Sequence, residues 1–292
     1  MPTRRAFLGG IAGLAALGAR AAPPPHELDF DVTPAERMVV CGAAPSGGAD
    51  PAAHRLRIAG LVGEELEYSL PELAQAFRVF TVQGVLECEG GVGCPMWSGV
   101  RLTDLLGAAR VLPGAAYVAG TGAAGAGRAI PLAKALDTDT LLAWAMNGAP
   151  LAPVQGFPLR LVAPGWSGAA STGWLHRVTL LDAAPDPARP SPPRSIITSP
   201  APQARVKLGA SATLRGRAWV GEGSLERVEV SADGGASWRD ALLWHAEGRH
   251  AWRRFTWDFE PARAGPLELV ARARDAAGRL QDEPHGVKIA VA

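Results

Sequence analysis

Hydrophobic and polar positions alternate with a period of two in the last third of the chain. This alternation predicts β-strands that are buried on one face, over residues 213–220, 225–231, 251–259, 267–273 and 287–291. Asp233, Gly234 and Gly235 form a tight-turn signal between two of them. Short strands separated by turns at intervals of about ten residues predict a β-sandwich.

The pattern before residue 185 is mixed and predicts both helices and strands. Ser69 caps a predicted helix over 70–77 with Pro71 in its first turn, and shorter helical pieces are predicted over 102–109 and 132–135. Strands are predicted over 55–59, 80–86 and 159–163. The fold class expected for the whole chain is α+β, a mixed α/β domain followed by a β-sandwich.

Prolines divide these two patterns. Seven prolines stand between residues 185 and 202, a density that excludes a regular helix or a central strand. We therefore predict one domain over 22–184, a linker over 185–202 and a second domain over 203–292. A length of 292 residues also favours two domains.

Composition narrows the class of protein. The chain is 48% hydrophobic and 20% charged, as is usual for globular proteins, and its net charge of +1 argues against a nucleic-acid partner. Three cysteines are too few for a disulfide scaffold or an all-cysteine metal cluster. The six histidines show no metal-ligand spacing.

The N-terminal residues resemble an export signal. Arg4 and Arg5 precede an apolar run over 7–17, and Ala19 and Ala21 form a small-residue cleavage signal. We expect a twin-arginine signal peptide over 1–21 and a periplasmic location, with an uncleaved anchor helix as the alternative. No other stretch is apolar and long enough to predict a membrane span.

Other candidate sites are weaker. The glycine-rich stretch 120–127 contains one Gly-x-Gly-x-x-Gly match without a surrounding strand–turn–helix unit, so we interpret it as a surface loop rather than a nucleotide site. The four tryptophans of the last third are expected in the sandwich core, at positions 219, 238, 252 and 257. Neither Gly-x-Ser-x-Gly nor His-Glu-x-x-His occurs.

Cys88 is the strongest candidate for redox or metal chemistry. It ends a predicted strand and precedes a glycine-rich turn that runs to Cys94. A thiolate in such a position suits a soft metal or redox chemistry. The alternatives are a Cys88–Cys94 disulfide and simple buried thiols.

Several blocks together resemble the sulfite oxidase family of molybdopterin enzymes. The segment from Cys88 resembles the family's Cys-Ala-Gly-Asn, and 97–106 resembles Trp-x-Gly-Val-x-Leu. Residues 143–151 resemble Ala-Tyr-x-Met-Asn-Gly-x-x-Leu, with Trp144 in the tyrosine place, and 155–166 resemble His-Gly-Phe-Pro-x-Arg-x-x-x-Pro-Gly. The second domain resembles the family's immunoglobulin-like dimerisation domain.

The resemblance implies a cofactor, a set of ligands and partners. The cofactor would be molybdenum–molybdopterin, and Cys88 would be the catalytic residue whose sulfur binds the metal. Arg160 would hold the cofactor's phosphate, because a guanidinium suits bidentate binding of an anion. Gln155 would hydrogen-bond the pterin, and Ser171, Thr172 and Gly173 would line the cofactor. The expected partners are a second copy of the chain, a c-type cytochrome and a small sulfur compound.

The chain departs from the family at the anion pocket. Cys41 and Ala43 appear where members have arginine and histidine, residues 91–93 lack the usual basic residue, and Gly173 replaces a lysine. The pocket tyrosine is also missing. A dianion such as sulfite needs fixed positive charge where it docks, so efficient sulfite oxidation is not expected. Two features, Gln155 in a Gln-Gly-Phe-Pro variant and Cys94 before the Trp-x-Gly-Val helix, are more similar to the sulfane dehydrogenase subunit of sulfur-oxidising systems.

Three functions follow from these observations. The leading one is a periplasmic molybdopterin oxidoreductase that acts on sulfite or sulfane sulfur and passes electrons to a c-type cytochrome. The second is a non-catalytic relative that serves as a binding or assembly protein. The third is a thiol-based redox protein in which Cys41 and Cys88 approach each other.

Overall fold

The computed structural model describes residues 23–42 and 50–292, so the expected signal peptide and Ala43 lie outside the described residues. The helices of the first domain are α1 (Leu70–Ala76), α2 (Leu102–Ala109) and α3 (Leu132–Ala135). Its strands are β1 (Leu56–Gly60), β2 (Leu66–Tyr68), β3 (Val79–Gln83), β4 (Leu86–Cys88), β5 (Gly91–Gly93), β6 (Met96–Arg101), β7 (Tyr117–Gly122), β8 (Gly125–Ala126), β9 (Ile130–Pro131), β10 (Leu141–Met146), β11 (Ala149–Pro150), β12 (Arg160–Val162) and β13 (Leu175–Leu181).

The first domain contains two sheets and one hairpin. One sheet has the order β2-β1-β13-β7-β8 with β9 also paired to β7, and only β1 and β13 run parallel in it. The other has the order β11-β10-β6-β3 with β12 paired to β10, and β4 and β5 form the separate hairpin. A core that includes Leu56, Leu105 and Leu161 fills the space between the sheets and helices.

The predicted helices are confirmed. At the start of α1, the Ser69 hydroxyl accepts from the backbone N–H of Glu72, and the Glu72 carboxylate accepts from the Ser69 N–H. This reciprocal capping satisfies two N–H groups that a helix terminus otherwise leaves unpaired. The predicted helices over 102–109 and 132–135 match α2 and α3.

The second domain is a two-sheet sandwich, as the period-two pattern predicts. Its sheets have the orders β14-β16-β20-β19 and β15-β22-β21-β17-β18, and the core between them includes Leu214, Val228 and Phe255. The strands are β14 (Arg194–Ser199), β15 (Arg205–Val206), β16 (Ala212–Trp219), β17 (Leu225–Ser231), β18 (Arg239–Asp240), β19 (Leu242–Leu243), β20 (Arg253–Phe259), β21 (Gly265–Asp275) and β22 (His285–Val291).

Part of the predicted linker is a strand. β14 lies inside the range 185–202 and pairs with β16 as an edge strand of the sandwich. The prolines on either side, Pro193 and Pro200, lie outside the strand, so each of its residues keeps a backbone N–H. Proline density therefore marks the boundary region but not the first residue of the sandwich.

Three of the four tryptophans expected in the sandwich core lie elsewhere. Trp219 and Trp252 belong to a buried apolar cluster with Leu28, Val85 and Cys94 where the two domains meet, which we call the interdomain cluster. Trp257 does pack against the sandwich core. The side chain of Trp238 lies under the Arg272 guanidinium at 3.9 Å from the ring centroid. Period two cannot separate a core-facing side chain from one that faces another domain.

Candidate functional site

Cys88 lies at the end of β4, where the sequence places it. The hairpin of β4 and β5 pairs Cys88 with Gly91, and Gly90 takes a positive φ of 88° in the turn. Leu86, at the start of β4, is buried beneath the hairpin beside Trp97. Burial of Leu86 thereby holds the hairpin in place and leaves the half-buried Cys88 beside the turn, at the opposite end of β4 from Leu86.

Cys41 and Cys88 form a disulfide, with their Cα atoms 5.7 Å apart. The alternative Cys88–Cys94 disulfide is wrong, because Cys94 is a free and fully buried cysteine. Burial raises the pKa of the Cys94 thiol to about 12, so this thiol stays protonated and unreactive. The segment containing Cys41 thus reaches the hairpin from 47 residues away in sequence.

A cavity of about 950 Å³ lies against the disulfide. Cys41, Cys88 and Glu87 form one side of it, and Ser171, Thr172 and Gly173 form another. The rest of the lining comes from the segments 124–128, 167–169 and 189–192, together with Val40, Gly42, Glu89, Trp174 and Arg194. Four of the predicted site residues therefore share one cavity: Cys88, Ser171, Thr172 and Gly173.

The stretch 120–127 is more than the surface loop that we expected. Gly120 and Gly122 belong to β7, Gly125 begins β8, and the resulting hairpin lines the cavity. A Cβ atom on Gly127 would overlap the Thr172 hydroxyl, and one on Gly173 would lie 2.9 Å from Gly156 Cα. Glycine is required here because two segments of backbone approach each other across the cavity wall.

Arg160 and Gln155 lie behind the lining rather than in it. Arg160 is 1% exposed, and its guanidinium donates to the carbonyls of Gln155 at 3.0 Å and Ser171 at 3.1 Å. Burial alone lowers the Arg160 pKa to about 10, and no carboxylate pairs with it among residues 23–42 and 50–292. A buried cation without a counter-charge is costly, so this position favours an anion.

Among the buried polar atoms that lack a hydrogen-bond partner within the described residues, two belong to these side chains. They are Arg160 Nε and Gln155 Oε1, which lie close to the same wall. The Ser171 hydroxyl accepts from the Ala163 N–H at 3.1 Å, so it fixes the wall to the end of β12. The Thr172 hydroxyl donates to the Gly120 carbonyl at 3.4 Å and ties the wall to β7.

These residues fit molybdopterin at one end of the cavity. Its phosphate is an anion for Arg160, and the unpartnered Gln155 oxygen can accept from the pterin's N–H groups. At the other end the sulfur of Cys88 lines the cavity, but in the disulfide it has no thiolate charge to offer a metal. The pterin end fits as it stands, and the sulfur end fits once the disulfide is reduced.

Next to Cys88, the positive charge of Arg194 is paired with Glu87, and Arg128 and Arg189 also line the cavity. Arg194 Nε lies 3.3 Å from a Glu87 carboxylate oxygen, and the other Glu87 oxygen accepts from Trp219 Nε1 at 3.2 Å. The tyrosines lie away from this cavity, with Tyr68 against Phe77 in the first domain and Tyr117 in β7. Residues 91–93 supply no positive charge, as the sequence shows, but Arg128, Arg189 and Arg194 keep positive charge in the cavity lining.

A second charged group joins the domains away from the cavity. Asp137 and Asp139 of the first domain lie close enough to His250 of the second to share a cation. Arg249 forms ion pairs with both carboxylates, and Lys134 Nζ lies 3.6 Å from Asp137. These cations already balance the carboxylates, so we interpret the group as an interdomain ion cluster. The spacing of the histidines along the chain does not indicate this ion cluster.

Comparison with known proteins covers both domains. Residues 42–188 match the family model of the oxidoreductase molybdopterin binding domain, and 190–290 match that of the Mo-co oxidoreductase dimerisation domain. Sulfite oxidase of Gallus gallus is 32% identical over 90% of this chain and 71% of its own length. Mitochondrial sulfite oxidase of Mus musculus is 30% identical over 90% of this chain, which spans only 60% of the mouse protein.

A solved structure agrees with these sequence relatives. The sulfane dehydrogenase SoxCD from Paracoccus pantotrophus superposes with a TM-score of 0.77 at 28% identity, over 88% of this chain and 76% of that one. Both family models, the sulfite oxidase relatives and this structural likeness show the same family for the two domains. The chain therefore belongs to the sulfite oxidase family of molybdenum-dependent oxidoreductases, whose cofactor is molybdopterin.

Proposed function

We propose that this protein oxidises a sulfur compound in the periplasm and passes the electrons to a c-type cytochrome. One observation carries the assignment of the reaction centre. The Cys88 sulfur lines the same cavity as Ser171, Thr172 and Gly173, and a buried Arg160 without a counter-charge lies directly behind that wall. A sulfur donor and an anion site at one cavity are what a molybdenum–molybdopterin group requires.

Each of these residues has a defined task. When bound, the cofactor supplies two-electron redox chemistry at molybdenum. Reduced Cys88 would hold the metal through its thiolate, and Arg160 would hold the phosphate. Gln155 would accept a hydrogen bond from the pterin. Ser171, Thr172 and Gly173 would orient the cofactor, because their backbone is fixed to β7 and β12.

The surroundings of Cys88 favour sulfane sulfur over sulfite. Glu87 stands next to Cys88 and offsets the positive charge of Arg194, and β5, which follows the turn, contains no basic residue. A small dianion needs uncompensated positive charge near the reacting atoms. A sulfane sulfur needs less, and the likeness to the sulfane dehydrogenase supports the same choice.

Export and partners complete the proposal. Arg4, Arg5 and the apolar run over 7–17 support export by the twin-arginine route. No helix in the described residues is long and apolar enough to cross a membrane.

Electrons need a separate carrier, because Cys-x-x-Cys-His, the haem attachment motif, does not occur in the chain. The match to a dimerisation domain supports a homodimer.

The decisive experiment measures molybdenum and turnover in the same protein. The mature chain is made in a host that synthesises the cofactor and is purified with a dithiol. We expect about one molybdenum per chain, its loss in Cys88→Ala, and its retention in the matched control Cys94→Ala. Thiosulfate or a persulfide should then reduce cytochrome c faster than sulfite does. Molybdenum content that is equal in both variants would refute the ligand assignment.

The second candidate is a non-catalytic binding or assembly protein. It is favoured by the disulfide, which occupies the ligand sulfur, and by the balanced charge at Glu87 and Arg194. It predicts a folded protein that turns over neither sulfite, thiosulfate, sulfoxides nor N-oxides with any electron acceptor. Turnover that disappears in Cys88→Ala would exclude it.

A further inference from the structure

The Cys41–Cys88 disulfide lies at the position that a metal ligand must occupy. Both cysteines are half-buried and both line the cavity, so a small thiol entering the cavity can reach the bond. Their Cα separation of 5.7 Å is within the ordinary range for disulfides. Access to a thiolate is the first requirement for thiol–disulfide exchange.

Gly168 lies directly against the two sulfur atoms of the disulfide. A Cβ atom at this position would overlap Cys88 Sγ and would lie 3.4 Å from Cys41 Sγ. The backbone of Gly168 therefore lies against the disulfide, and it lines the same cavity as the two cysteines. After reduction, the two thiols remain neighbours because the strand end and the Gly168 turn restrict where Cys88 can go.

A sulfur atom cannot serve the disulfide and the metal at the same time. Metal ligation requires a thiolate. A sulfur atom in a disulfide is bonded to the other sulfur and carries no negative charge, so it is not a thiolate ligand. We propose that Cys41–Cys88 is a reversible switch that excludes molybdenum when oxidised and admits it when reduced. This inference rests on the proposed function, in which Cys88 is the metal ligand.

The switching step balances as a two-electron exchange. One thiolate of an external dithiol attacks one sulfur of the Cys41–Cys88 bond, which breaks and leaves the other cysteine as a thiolate. The second thiol of the reductant then closes its own disulfide and releases the attacked cysteine. The protein gains two electrons and two protons as two thiols, and the dithiol loses the same number. An oxidising disulfide reverses the step.

Cys41 acts here as the resolving cysteine and Cys94 takes no part. Cys94 is fully buried in the interdomain cluster, and no disulfide joins it to either of the other cysteines. Its backbone N–H is held by the Thr33 hydroxyl at 2.8 Å, which fixes it away from the cavity. Cys94 therefore provides a matched control for the removal of one sulfur atom.

The test loads molybdenum–molybdopterin, released from a denatured molybdoenzyme, into the mature apo-protein. Wild type, Cys41→Ala and Cys94→Ala are each prepared with a dithiol or with an oxidised dithiol. Alkylation and mass spectrometry count the thiols, and elemental analysis measures molybdenum. We expect oxidised wild type to show one free thiol and at least tenfold less molybdenum than reduced wild type, which shows three. Cys41→Ala should load equally in both states. Cys94→Ala should load molybdenum like wild type and show one thiol fewer in each state, none when oxidised and two when reduced.

The outcomes separate the switch from the function on which it rests. Equal loading of oxidised and reduced wild type, or three free thiols after oxidation, would overturn the switch and leave the proposed function intact. No molybdenum in reduced wild type and in Cys41→Ala would overturn both. Loading that depends on oxidation even in Cys41→Ala would assign the effect to another group and reject Cys41 as the resolving cysteine.

Discussion

Arg160 places a positive charge in the interior, where, within the described part of the chain, its guanidinium donates to two carbonyl oxygens. Replacing it by methionine removes the anion site, so we expect Arg160→Met to lower the molybdenum content at least tenfold. The matched control is Arg217→Met, because Arg217 is also buried but pairs with Asp29 and Asp31 away from the cavity. That variant should lose stability and keep the cofactor. Full cofactor content in Arg160→Met would contradict the assignment.

His250 makes the stability of the protein sensitive to acid. Burial lowers its pKa to about 4, while an unfolded histidine titrates near 6.5. The unfolded state therefore binds a proton first as pH falls, and the free energy of unfolding decreases between about pH 6.5 and 4. Asp137, Asp139, Lys134 and Arg249 surround the imidazole.

The measurement that isolates His250 is denaturant unfolding at several pH values. We expect His250→Gln to lose less stability than wild type between pH 6.5 and 4, because it lacks the group that the unfolded state protonates. His54 and His285 also have a lowered pKa and remain in both proteins, so they cancel in the comparison. Parallel pH profiles of the two proteins would show that the pKa of His250 is the same in the folded and unfolded states, which would contradict this prediction.

At the scale of elements, the glycines differ in how much space surrounds the position of the missing Cβ atom. Gly127 follows β8, and its missing Cβ leaves room for the Thr172 hydroxyl. We expect Gly127→Ala to destabilise the protein by about 1–3 kcal/mol and to reduce cofactor retention, since the cavity wall must shift.

Gly107, inside α2, has nothing within 4 Å of its missing Cβ. Gly107→Ala should stabilise by about 0.5–1 kcal/mol. Thermal unfolding that ranks the two variants in the opposite order would contradict this account.

The elements differ in how far the sequence determines them. The five period-two strands of the sandwich are predictable because each buries one face. β10 is buried at all six positions, so it shows no alternation, and the glycines of β7 mimic a loop although the strand pairs fully with β13. Both strands depend on neighbours that the local pattern does not contain.

The candidate site follows the same division. Cys88 carries a local signal, a strand end before a glycine-rich turn, so the sequence locates it. Residues 171–173 are placed at the site only by the resemblance to the sulfite oxidase family. The contact of Gly127 with Thr172 and the pairing of Cys41 with Cys88 join segments that are distant in the chain. In the sequence, only the resemblance to the sulfite oxidase family indicates that Cys41 lies near the cavity. Distances of this kind depend on tertiary packing rather than on periodicity.

At the scale of the molecule, the interdomain cluster makes the two domains depend on each other. Trp252 is 4% exposed, packs in that cluster and donates its indole N–H to the Asp31 carbonyl at 2.9 Å. The His250 carbonyl, two residues earlier, accepts from the Val85 N–H at 2.9 Å, just before the strand that ends in Cys88. The sandwich thus supports the hairpin that carries the candidate ligand.

Removing the Trp252 side chain should therefore uncouple the domains. We expect wild type to unfold in one calorimetric transition and Trp252→Ala to unfold in two, with a loss of about 3–5 kcal/mol for the truncated core residue. Trp238→Ala is the matched control, because Trp238 lies against Arg272 and outside the interdomain cluster, so its transition should stay single. If Trp252→Ala still unfolds in one transition, the cluster is not what joins the domains, and the support of the hairpin must come from the first domain alone.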